Sequence, residues 1–101
     1  MNINPFDLLR NAGKLQEEMG KMQESLQALV VSGSAGGGMV QVDLNGKMEC
    51  VAVRIESEVV DPNDIVMLQD LIRAAYADAH DKARAAIQAQ LGPMAGAMGL
   101  S

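Results

Sequence analysis

The sequence predicts an α+β protomer of order α-β-β-β-α, a small antiparallel three-stranded sheet with two long projecting helices. Two period-two runs and the helical patterns beside them predict it. Val40, Val42 and Leu44 alternate with Gln41, Asp43 and Asn45, and Val51, Val53 and Ile55 alternate with Ala52, Arg54 and Glu56. Each run presents one apolar and one polar face. Asn45-Gly46 between them tolerates the positive φ angles of a type I′ turn, so the runs form a hairpin with one buried face. A hairpin alone is marginal in water. The run Ala28-Leu29-Val30-Val31, just before a group of glycines, supplies a third strand. The apolar residues before and after residues 30–56 recur with a helical period instead.

The first helix opens at Asn4-Pro5-Phe6-Asp7: a capping side chain, a proline where its missing N–H costs nothing, and an acid facing the helix dipole. Leu8, Ala12, Leu15, Met19, Met22, Leu26 and Leu29 follow at alternating spacings of four and three, a heptad seam. From Pro5 to Leu29 such a helix is ~37 Å long, whereas an ordinary strand covers only ~17–20 Å. The seam must therefore face another helix, of this chain or of a partner. The glycine-rich segment 33–38, GSAGGG, leads into a strand and lacks a following Lys-Ser/Thr. It reads as a flexible strand connection, since a phosphate loop must lead into a helix N-terminus.

Asp61-Pro62-Asn63-Asp64 repeats the opening grammar and starts the second helix at Pro62. Its apolar face runs through Ile65, Leu68, Ile72, Ala75, Tyr76, Ala79, Ala83, Ala86 and Ile87, and Gly92-Pro93 is expected to stop it after Leu91. Residues 1–91 then form a single domain and 92–101 a flexible Met/Gly-rich tail. The far ends of the two helices are expected to pair antiparallel and project as an arm from the sheet.

Composition narrows the functional classes. Phe6 and Tyr76 are the only aromatic residues, while Met occurs 8 times in 101 residues. Such a core is thin and adaptable, and gains from burying more surface in a homodimer. The net charge of -5 works against non-specific attraction to nucleic acid or anionic lipid, so a local basic stripe matters more than the total. Cys50 is the only cysteine, which excludes an internal disulfide and suits a reducing cytoplasm. The start MNINPFD carries neither a signal pattern nor a myristoylation glycine, and the uncharged stretch 25–42 holds too many glycines, serines and glutamines to span a membrane.

An enzyme needs convergent polar groups, and none is legible. His80 has no Glu or His placed to share a metal, Cys50 precedes the apolar run of the last strand, and Asp70, Asp78 and Asp81 mark a solvated helix side. No catalytic residue, metal, cofactor or small-molecule substrate is expected.

The bases carry more information. Arg10, Lys14 and Lys21 lie on the solvent side of the first heptad seam, and Arg73, His80 and Arg84 form a stripe on the second helix. Acids within three or four positions let both groups read as ordinary solvated faces. Charge is nonetheless uneven. Residues 5–29 and 62–91 each hold three bases and four acids, against two and five in 39–61. A polyanion would meet the arms.

Taken in order, KLQEEMGKMQESLQAL, VVSGSAGGGMVQVDLNG and VRIESEVVDPNDIVMLQDLIRAAYADAHDKA resemble the YbaB/EbfC family of bacterial nucleoid-associated proteins over roughly residues 8–90. The stretch from Gly38 to Gly46 and the block LQDLIRAAYADA carry the resemblance most specifically. It implies a tweezer-like homodimer that binds double-stranded DNA through projecting helices, with limited sequence preference and a role in chromosome organisation and gene regulation. By region, the contacts it implies here are Arg10, Lys14, Lys21, Lys82 and Arg84, with Arg73 ranked behind them. The alternative is a dimeric protein–protein adaptor with weak or no direct DNA binding, which a Met-rich seam and negative charge also suit.

Overall fold

The computed structural model describes residues 4–97. The elements run α1 (Pro5–Ala28), β1 (Val30–Ala35), β2 (Val40–Asn45), β3 (Cys50–Ile55), a one-turn 3-10 helix (Ser57–Val59) and α2 (Ile65–Ala97). The sheet is antiparallel throughout in the order β1-β2-β3, as the α-β-β-β-α reading expects.

The core lies where β2 and α2 meet. Val40, Val42 and Leu44 are buried against Ala75, Ala79 and Ala83, with Val59 folded in beneath them. Alanines let α2 approach closely, and Gly33 of β1 completes the approach. A Cβ built at Gly33 would stand 2.1 Å from the Ala79 nitrogen and 2.4 Å from the Ala75 oxygen. Leu68, Leu71 and Ile72 extend the packing toward Val31, Ala35 and Met39.

α2 covers β1 and β2 but leaves β3 open. Val53 pairs with Val42 and Ile55 with Val40, so all four side chains share one face. Yet Val51, Val53 and Ile55 remain 51%, 49% and 40% exposed. The expected apolar face of the hairpin is thus buried on β2 and bare on β3. Alternation tells which side chains share a face, not whether the protomer is wide enough to cover it.

The loop joining β2 to β3 also differs from a two-residue type I′ turn. It spans Gly46 to Glu49, with the Asn45 N–H donating to the Glu49 carbonyl at 3.0 Å and Met48, not Gly46, at positive φ (64). Asn45 organises it: its buried carboxamide oxygen accepts from Lys47 N–H and Glu49 N–H, and its Nδ2 donates to Glu49 Oε1. Gly46 serves a different need. Its N–H donates to the Leu26 carbonyl at 2.7 Å, and a Cβ there would lie 2.5 Å from that oxygen. That contact anchors the last turn of α1 to the sheet.

α2 is displaced at both ends from the expected bounds. Asp61 closes a turn by accepting from Asn63 N–H, and Asp64 accepts from Met67 N–H at 3.2 Å, so Asp64 rather than Asp61 caps the helix. At the other end α2 passes through Gly92 and Pro93 to Ala97. A proline lacks only one N–H and opposes one carbonyl, and at an exposed helix end water can serve the carbonyl it frees. Of the expected flexible tail, residues 92–97 are therefore helical and 98–101 lie outside the described residues.

α1 leaves the sheet and stands alone. It buries no residue fully; only Met22 and Leu26 are partly covered. The far ends of the two helices do not pair antiparallel as expected. Gln90 Nε2 donates to Ser25 Oγ, and the two helices otherwise scarcely meet. The molecule measures 73 × 23 × 16 Å with a radius of gyration of 20.1 Å, whereas a compact chain of this length has about 13 Å.

Candidate nucleic-acid interface

The freestanding arm carries the first group of bases. Asn4 Oδ1 accepts from Phe6 N–H at 3.0 Å, Pro5 sits in the first turn and Asp7 faces the dipole, which together start a helix that has little packing to hold it. On its surface Arg10, Lys14 and Lys21 fall within roughly 40° of one another and span about 16 Å of the axis. All three are exposed. Glu17 and Glu24 share the stripe, yet no ion pair among the described residues involves Arg10, Lys14 or Lys21.

The bases of α2 are placed differently. Arg84 is exposed and likewise absent from those ion pairs, but it lies on α2, next to the buried Ala83, rather than on the arm. Arg73 pairs with Asp70 at 3.3 Å. Lys82 is engaged: its Nζ donates to Asp78 Oδ2 at 3.0 Å and to the Ser32 carbonyl of β1 at 3.4 Å. The structure thus brings Arg10, Lys14 and Lys21 together and leaves Lys82 and Arg84 apart from them.

Two polar constellations were not legible as such in the sequence. On the face of the sheet away from α2, Arg54 donates to Asp43 through Nη1 at 2.6 Å and Nη2 at 2.9 Å, and through Nε to Gln41 Oε1 at 2.8 Å. Ser32 Oγ donates to Asp43 Oδ1 at 2.5 Å. The hydrogen bonds from Arg54 and then Ser32 hold the Asp43 carboxyl below its ordinary value. A depression of about 200 Å³ beside this network is lined by Gly38, Met39, Gln41, Arg54, Ile55 and Glu56. The guanidinium there is already spent on Asp43 and Gln41.

The second is Asp78, whose Oδ2 accepts the Ser34 N–H of β1 at 3.0 Å as well as the Lys82 amine. The Ser34 hydrogen bond, then Lys82, lowers its pKa. The Asp78–Lys82 spacing of four, flanking Ala75, Ala79 and Ala83, is the signal by which a sequence could have disclosed it.

His80 packs its ring 6.2 Å from that of Tyr76, and Cys50 is exposed. Among the described residues no group of His, Cys, Asp or Glu could hold a metal ion, and no helix is long and apolar enough to cross a membrane.

Comparison with known proteins agrees with this architecture. The chain is 48% identical over 92 residues to a nucleoid-associated protein of Mycolicibacterium vanbaalenii, covering 91% of this chain and 84% of that protein. It is 42% identical over 96 residues to a nucleoid-associated protein of Chloroflexus aggregans, covering 95% and 96%. The crystal structure of the uncharacterized protein HP0035 from Helicobacter pylori superposes with a TM-score of 0.72 over 92% of this chain and 98% of that one, at 20% identity, which establishes the shared fold. The YbaB/EbfC DNA-binding family matches residues 1–98, nearly the whole length, and the chain belongs to that family.

Proposed function

We propose that this protein is a nucleoid-associated DNA-binding protein that grips duplex DNA as a homodimer, with α1 as its contacting arm. The observation that carries the reading is the freestanding α1 with Arg10, Lys14 and Lys21 in one exposed stripe outside the ion pairs of the described residues. Contact is to phosphates. The stripe of Arg10, Lys14 and Lys21 holds no Asn or Gln among its bases, and with two aromatic residues in the chain there is no stacking platform. Arg84 supports the same contact from α2, while Lys82 contributes less because Asp78 already holds its amine. Binding of this kind packs and organises chromosomal DNA with little sequence preference, and it places the protein on the nucleoid in the cytoplasm. Gene regulation follows from where on the chromosome the protein accumulates. The reading includes no catalysis.

A second reading, a dimeric adaptor for another protein, draws on the bare apolar seam of the same arm: Leu8, Leu15 and Met19 are 56%, 60% and 60% exposed. Charge reversal separates the two. In the double variant Arg10→Glu, Lys14→Glu, DNA binding measured by gel shift is expected to fall at least tenfold while the circular dichroism spectrum stays unchanged. Unaltered DNA affinity in a folded double variant would contradict the arm as the contact and favour the adaptor.

A further inference from the structure

The basic stripe on α1 has a gap. Arg10 and Lys14 are about one turn apart, but Lys21 follows only after seven residues, about 10 Å further along the axis. Glu17 stands in that gap, three residues after Lys14 and four before Lys21, within roughly 40° of the middle of the stripe. Glu18, by contrast, lies on the side toward the seam of Leu15 and Met22. A glutamate four residues before a lysine ordinarily supports a helix by pairing with it. Here no such pair forms: Glu17 and Lys21 are both exposed, and neither belongs to the ion pairs of the described residues. α1 buries none of its residues fully, so this carboxylate faces solvent beside the lysines.

We propose that Glu17 limits the affinity of the DNA contact: placed among the bases, its carboxylate meets the same phosphates that they attract, and repels them. Lys14 and Lys21 draw a duplex to the stripe from either side of it. Two like unit charges ~7 Å apart in water then repel enough to cost about threefold in affinity. The contact is thereby kept weak and sensitive to salt, so that the protein leaves and rebinds the duplex rather than locking on to it. Glu17 is in this sense an affinity-setting residue, distinct from the bases that make the contact.

This inference rests on the DNA reading above, and anisotropy titrations of a labelled duplex at about 50 mM salt distinguish their failures. Glu17→Gln is expected to tighten binding about threefold, with the gain shrinking as added salt screens the repulsion. Glu17→Lys is expected to tighten it further and to steepen the salt slope by about one for each arm engaged, as one more phosphate is neutralised. Helical circular dichroism should be retained in both, since Gln and Lys favour helix about as well as Glu. The control, Glu58→Gln, changes the net charge by as much as Glu17→Gln does. Glu58 is exposed and lies beyond the end of β3 remote from the turn that anchors α1, so affinity there is expected to stay near the wild-type value. A purely helix-supporting role for Glu17 gives the opposite sign, because loss of its charge would loosen the arm and weaken binding. Glu17→Gln and Glu17→Lys variants that bind no more tightly than Glu58→Gln would overturn Glu17 as the limiting residue and leave the DNA reading standing. A wild type and a Glu17→Lys variant that both fail to bind would overturn the DNA reading and this inference together.

Discussion

At the scale of single residues, close approach matters more than bulk. Gly33 is a strand glycine whose absent side chain is what lets the Ala75–Ala79 backbone of α2 rest on β1. Gly33→Ala is expected to destabilise the protein by about 3 kcal/mol or more, since a Cβ against rigid backbone cannot be relieved by a rotamer change. The same change at Gly13, which has nothing within 4 Å, is expected to raise stability of α1 by about 0.5–1 kcal/mol. Urea denaturation followed by circular dichroism checks both signs. Charge gives a second test. Asp43 and Asp78 are held below the ordinary 3.8, so the folded state binds their protons less readily than the unfolded chain. Their stabilisation is complete above about pH 3.8 and is lost as pH falls through the lowered folded values. Asp43→Asn is expected to lower stability at pH 7 and to flatten the acid side of the profile, read from melting temperature against pH. Little of this was legible in advance. A glycine inside a strand pattern signals close approach but not by what, and Asp43 looked like one more polar-face residue until Arg54 was placed opposite.

At the scale of elements, periodicity identified the helices and strands and failed at their margins and their coverage. Val40, Val42 and Leu44 were readable as core from alternation alone, and they are buried. Val51, Val53 and Ile55 follow the same rule and are not, because α2 is one helix wide and spends its alanine face on β1 and β2. Asp61 was the cap that the pattern around Pro62 offered, and the choice of Asp64 instead depends on a turn closed by Asp61, beyond the reach of local propensity. The arm was legible as a helix with a seam. That it stands almost free was not, since its attachment rests on one glycine in a distant turn. Gly46→Ala is expected to detach that end of α1, because the new Cβ meets the Leu26 carbonyl at 2.5 Å. Amide exchange across α1 should then accelerate while β2 and α2 stay protected. Unchanged protection at Leu26 and its neighbours would contradict the anchor.

At the scale of the molecule, an acidic chain is asked to bind a polyanion. A net charge of -5 repels DNA at long range, so affinity has to come from the geometry of the arms. Spacing places Arg10, Lys14 and Lys21 on one side of α1, which by itself reads as a solvated face; that Lys82 is held by Asp78 and the Ser32 carbonyl depends on how α2 crosses β1. Two arms bearing three such bases each would contact about six phosphates, for which log affinity should fall against log salt with a slope near −5. The decisive measurement is fluorescence anisotropy of a labelled duplex titrated with the protein between about 50 and 200 mM salt. Saturable binding that weakens with a slope of about −3 to −5, and that is lost in the Arg10→Glu, Lys14→Glu variant, is the expected result. Absence of binding at the lowest salt, or binding indifferent to salt, would contradict DNA contact through the arms.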